Sequence, residues 1–113
     1  MTTHLSAQAV IAALDLSPHP EGGHFREIFR APTEDAGRGA VTSIYFLLAA
    51  GEVSHWHRVD AVEIWNFHAG APLELLIDAP TGPERHVLGR DLAAGERPQG
   101  HVPAGAWQAA RSD

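Results

Sequence analysis

A chain of 113 residues with a formal net charge of -6 and no cysteine has room for one modest core and none for a separate cofactor-binding domain. Eight Lys plus Arg against fourteen Asp plus Glu argue against a nucleic-acid surface, because phosphate binding draws its affinity from clustered cations. Without cysteine there is neither disulfide nor thiol catalysis, and any metal has to be held by His, carboxylate or amide groups. No apolar run approaches the roughly 20 residues that span a bilayer, and no Arg/Lys-led apolar segment opens the chain. The expectation is therefore a soluble, cytoplasmic protein, one domain over residues 1–113, whose partners are a small-molecule ligand or a second copy of itself.

The first segment, LSAQAVIAALDL, places Leu5, Ala9, Ala12 and Ala13 at helical spacing, with Ile11 and Leu14 widening the apolar side and Ser6 available as a cap. Pro18 lacks a backbone donor and disfavours α conformation in Ser17, so the spacing predicts one short N-terminal helix. After Pro20 the texture becomes β. Gly22 and Gly23 break the chain, HFREIFR sets Phe25 among charged neighbours, and AVTSIYFLL is rich in β-branched and aromatic residues. Short candidate strands then alternate with the turn clusters AAGE, HAGAP, DAPTGPE, AAGERPQ and PAG. Glycine and proline in each supply the backbone angles that tight turns need. This rhythm predicts an all-β sandwich or barrel.

The chemistry concentrates in GEVSHWHRVDAVEIWNFHAG, residues 51–70. In an extended strand His55 and His57 point one way while Trp56 and Arg58 point the other. If Glu63 opens the neighbouring antiparallel strand, it faces the same point. Two imidazoles and a carboxylate form a facial set suited to Fe, Mn, Ni or Zn with positions left open for substrate. Without a metal, a histidine beside a glutamate is an acid/base pair. The same alternation turns Trp65 and Phe67 inward, and Asn66 and His68 outward unless a bulge resets the register.

These residues resemble the cupin superfamily, whose first motif is a Gly, then His-x-His, a Glu and a closing Gly. Here they are Gly51, His55, His57, Glu63 and Gly70, with a shortened interval from Gly to His. The second motif reads Gly95, Pro103 and Gly105, with Gln108 where the family's histidine would stand. More narrowly, LSPHPEGGHFREIFR, TSIYFLL, SHWHRVDAVEIWNFHAGAPLEL and LGRDLAAGERPQGHVPAGAWQAA look like the cupin-5 (DUF985) family. The resemblance implies a double-stranded β-helix, or jelly-roll, with a pocket inside the barrel and a homodimer built through sheet edges or strand exchange. It implies little about activity. Family members often carry His at the position of Asn66 and a non-histidine at that of His55, and they continue for two or more strands past the position of Asp113. The expectation is either a truncated form or a partner chain that covers the open edge.

His57 and Glu63 are thus the candidate catalytic pair. His55, His57, Glu63 and Gln108 are the candidate metal ligands, with the Gln108 carbonyl oxygen a weaker donor than imidazole. Trp65, Phe67, Gln108 and Glu27 are candidate ligand contacts. Glu27 with Arg30 reads either as an anion-recognising pair at the barrel mouth or as a surface ion pair on a solvated strand. His68, His86 and His101 read as ordinary strand or loop residues, and Trp56, Trp107 and Tyr45 as core. The functional expectation is a pocket for a small carbohydrate-like or aromatic metabolite, serving a metal-dependent or an acid/base, epimerase- or isomerase-like enzyme. Its alternative is a non-catalytic binding cupin with a vestigial metal site.

Overall fold

The structure, a computed structural model, describes residues 5–32 and 41–112. It divides into two compact units, the first ending at Leu47 and the second beginning at Leu48.

In the first unit, helix α1 spans Ala7–Leu14, as its apolar spacing predicts. Ser6 starts it, its hydroxyl accepting from the Ala9 N–H at 3.1 Å, which satisfies one of the orphan donors of the first turn. Asp15 stops it in a left-handed conformation (φ 55°), as a short polar side chain can. Strands β1 (Ser17–Pro18), β2 (His24–Arg30) and β3 (Thr42–Leu47) follow as an antiparallel sheet in that order. Phe25 opposes Phe46 across the ladder, and the His19 ring stands edge-on to both, at 4.8 and 5.5 Å between centroids. A bulge between Glu27 and Phe29 interrupts the β2–β3 pairing.

The second unit contains β4 (Val53–Arg58), β5 (Glu63–Asn66), β6 (Leu73–Ala79), β7 (Gly82–Leu88), β8 (Gln99–Val102) and β9 (Trp107–Ser112). A single 3-10 turn, Leu92–Ala94, precedes β8. Four strands form one antiparallel sheet in the order β4-β9-β6-β7, and β5 and β8 form another. Strand β6 explains the layering. Leu75, Ile77 and Ala79 are buried while Asp78 is exposed, the period-two pattern of a strand with one face on a core. Leu75 sits opposite Ala110 and Ile77 opposite Gln108. Leu88, Val102 and Ala106 complete the cluster, and Leu48, Trp65, Phe67 and Leu73 pack around it. Burying Leu75 and Ile77 fully contributes about 1.5–3 kcal/mol each.

Gly100 sets the spacing between the layers. A Cβ there would lie 3.1 Å from Leu88 Cδ2 and 3.6 Å from Leu75 Cδ2, so the β8 backbone approaches the larger sheet as closely as glycine permits. Gly105, at φ 78°, turns the chain from β8 into β9 through a conformation that side chains with a Cβ avoid.

The aromatic residues divide differently from expectation. Trp56 is 52% and Trp107 43% exposed, and Tyr45 is also exposed. Trp107 is outward because Gln108, one residue on, takes the inner position and strand faces alternate. The Arg58 guanidinium covers the Trp107 ring at 5.1 Å, within cation–π range. No described helix is long and apolar enough to cross a membrane.

Candidate functional site

Gln108 is the centre of the site. It lies at mid-sheet on β9, between His57 of β4 and Ile77 of β6, and is 1% exposed. A buried primary amide must find partners for both its ends. Its Nε2 donates to Glu63 Oε2 at 2.7 Å, and its Oε1 accepts from Trp65 Nε1 at 3.2 Å. Glu63 and Trp65 are two residues apart on β5 and so share a face. Gln108 therefore ties the β5 side chains to the middle of the four-stranded sheet, and Trp65 also packs on the core.

His57 joins from the other side. It is the cross-strand partner of Gln108, so the two side chains leave the sheet on the same face. Its Nδ1 lies 2.7 Å from the His55 carbonyl oxygen. A carbonyl only accepts, so Nδ1 carries the hydrogen and the neutral ring holds its lone pair at Nε2.

His55 is placed otherwise than strict alternation predicts. Ser54 pairs with Ala110 and His57 with Gln108, so three steps along β4 match two along β9. This bulge inserts one residue and resets the alternation. Ser54, 2% exposed, takes the inner position beside His57, while His55 is exposed. Of the candidate ligands His55, His57, Glu63 and Gln108, the structure joins Glu63 to Gln108 by a hydrogen bond and sets His57 opposite Gln108. His55 is off the face, and Gln108 already uses its oxygen on Trp65. Among the described residues no group of three or more His, Cys, Asp or Glu side chains is placed to hold a metal ion.

The remaining candidates fall elsewhere. Phe67 is half-buried against the core, its backbone N–H donating to Pro98 O at 2.7 Å. Glu27 belongs to the first unit, where it pairs with Arg30 at 2.9 Å on an exposed strand, the solvated arrangement of the two readings. Asn66 faces out and accepts from Gln99 at 2.8 Å, and His68 and His101 are exposed. His86 meets Glu84 at 2.9 Å. Sequence reasoning missed Ser54, because only the bulge turns it inward. It also missed a groove of about 520 Å³ on the outer face, lined by Trp56, Leu76, Asp78, Pro83 and Trp107 among others. A second cavity of about 460 Å³ lies between β7 and residues 94–99. Neither is lined by His57, Glu63 or Gln108.

The family described as Cupin superfamily (DUF985) matches residues 8–113.

This chain belongs to that family.

A crystal structure of a Shewanella oneidensis protein superposes with a TM-score of 0.90 at 44% identity, covering 97% of this chain and 71% of that one. A hypothetical protein from Leishmania major superposes with a TM-score of 0.85 at 34% identity, covering 95% of this chain and 70% of that one. No curated protein matches the chain. The all-β cupin fold with one short helix, expected from the sequence, is thus the fold of this chain.

Proposed function

We propose that this cupin binds a small, neutral, hydroxylated metabolite on the inner face of its second unit and moves a proton on it, with His57 and Glu63 as the acid/base pair. One observation carries the reading. Gln108, 1% exposed, is hydrogen-bonded to Glu63 and stands opposite His57 in the ladder, so a carboxylate bonds the buried amide and an imidazole shares its face of the sheet. A polar group is buried where its hydrogen bonds are satisfied.

The chemistry of the same face supports this substrate class. Ser54, His57, Glu63 and Gln108 supply hydroxyl, imidazole, carboxylate and amide groups without a Lys or Arg. Such a set repels anions and accepts from hydroxyl groups. The pair removes a proton from a carbon next to a carbonyl and returns one to the same or the adjacent carbon. The product is an epimer or isomer, with nothing else consumed.

The test is exchange with solvent. Aldoses and ketoses are incubated with the protein in D2O, and loss of the C–H signal next to the carbonyl is followed by proton NMR. The wild type incorporates deuterium into at least one sugar, and Glu63→Gln and His57→Gln slow that incorporation by about 10²- to 10⁴-fold. Thermal stabilisation by a sugar without exchange would replace the enzyme with a passive binding module. The absence of both exchange and stabilisation would overturn the reading.

A further inference from the structure

We infer that Gln108 and Trp65 are positioning residues for Glu63, joined in a one-way relay of hydrogen bonds that makes Oε2 the held oxygen of the carboxylate and Oε1 the oxygen that exchanges a proton. The inference deepens the acid/base reading and rests on it for its catalytic consequence. It also reassigns Trp65 and Gln108, which the sequence offers as ligand contacts.

The direction of the relay follows from which groups can donate. An indole N–H only donates, so Trp65 Nε1, at 3.2 Å, has to meet the oxygen of the Gln108 amide. That contact fixes the orientation of an amide that could otherwise be turned over. The amide nitrogen is then directed at Glu63 Oε2, 2.7 Å away. Because this nitrogen also only donates, Oε2 has to accept. Nothing in the relay can run backwards, since the tryptophan has no acceptor to offer.

The consequence for Glu63 is that its rotamer is held, because Gln108 is itself fixed at mid-sheet between β4 and β6 and is almost wholly buried. A base that keeps one oxygen hydrogen-bonded and presents the other in a set direction meets the geometric demand of proton transfer. The glutamine thus has a use in its own right. Histidine, the residue of the superfamily's motif, has one donor at most when neutral and could not both accept from Trp65 and donate to Glu63 from one end of its ring.

The test reads Glu63 directly, without a ligand. In protein labelled with 13C at the glutamate side chain, the Glu63 carboxyl chemical shift is recorded at one neutral pH in the wild type, in Gln108→Met and in Trp65→Phe. Methionine keeps the volume and removes the donor. The Glu63 carboxyl resonance moves in Gln108→Met, where its hydrogen bond from the amide is lost, and by less in Trp65→Phe, where the amide remains but is no longer oriented. Should Gln108→Met fail to fold, Trp65→Phe alone decides. An unchanged carboxyl resonance in the folded variants overturns the relay. Since no substrate enters the measurement, a failed deuterium-exchange assay and a failed relay are separate results. Where exchange is observed, Gln108→Met lowers kcat with KM little changed, as expected of a group acting through Glu63. A rise in KM alone would make Gln108 a ligand contact and overturn its positioning role.

Discussion

His57 Nδ1 sits 2.7 Å from the carbonyl oxygen of His55, so the backbone of the first histidine of the pair helps to orient the ring of the second. The bulge on β4 that separates their faces makes this contact the working relationship between the two residues. Long-range 1H–15N spectra above the histidine pKa will show His57 protonated at Nδ1, with the lone pair at Nε2. The opposite tautomer would mean that the ring does not donate to the carbonyl, and the assignment of Nε2 as the basic nitrogen would fail.

Metal content distinguishes the two histidine arrangements. With His55 outward and the Gln108 oxygen engaged, protein purified without chelator or affinity-metal contact will carry well under one Fe, Mn, Ni or Zn per chain. Adding these ions will not raise its melting temperature. Stoichiometric metal that disappears in His57→Ala would show that β4 can lose its bulge and bring His55 inward.

Glu74 gives the fold a pH signature. Its carboxylate accepts from Arg85 at 3.1 Å and from Arg111 at 3.0 Å, joining β7, β6 and β9 on the outer face. The hydrogen bond from Arg85 holds its pKa below the ordinary glutamate value, against the opposing effect of partial burial and with further help from Arg111. A depressed folded-state value means that this stabilisation is complete above the ordinary glutamate pKa and is lost as pH falls through the lowered one. Melting curves from pH 7 down to pH 3 will therefore show Glu74→Gln below the wild type at neutral pH, with the gap closing in acid. A constant gap would mean that the pairing has no protonation-linked effect.

Gly100 tests the packing of the two layers. Valine there places methyl groups where Leu88 Cδ2 and Leu75 Cδ2 already approach a bare Cβ position at 3.1 and 3.6 Å. Overpacking of this kind costs about 1–3 kcal/mol, to be read as a lowered midpoint in urea unfolding at unchanged m-value. An undiminished midpoint would show that β8 can move away from the sheet without loss.

Much of the fold was legible because it rests on local chemistry. Ser6 before an alanine-rich apolar stretch predicts α1, and the glycine and proline clusters predict the turns around β6 and β7. Glu63 and Trp65 were legible as inward neighbours because β5 is regular. Ser54 and His55 were not, since one inserted residue exchanges their faces and nothing in SHWH announces the insertion. The sequence offers Trp107 as core, yet Gln108 takes the interior, where Glu63 and Trp65 satisfy both ends of its amide.

The sequence by itself determined the all-β class, the capped helix, the family resemblance and the choice of His57, Glu63 and Gln108 as candidates, because helical spacing, strand alternation and motif spacing are properties of neighbouring residues. Only the tertiary structure decided which end of the Gln108 amide meets which partner, which histidine faces inward, and that Trp65 hydrogen-bonds as well as packs. Those outcomes depend on residues 43 and 45 positions apart in the chain and on a bulge whose effect appears only when β4 is laid against β9. Pairing across that distance is settled by packing and by the requirement that buried polar groups find partners.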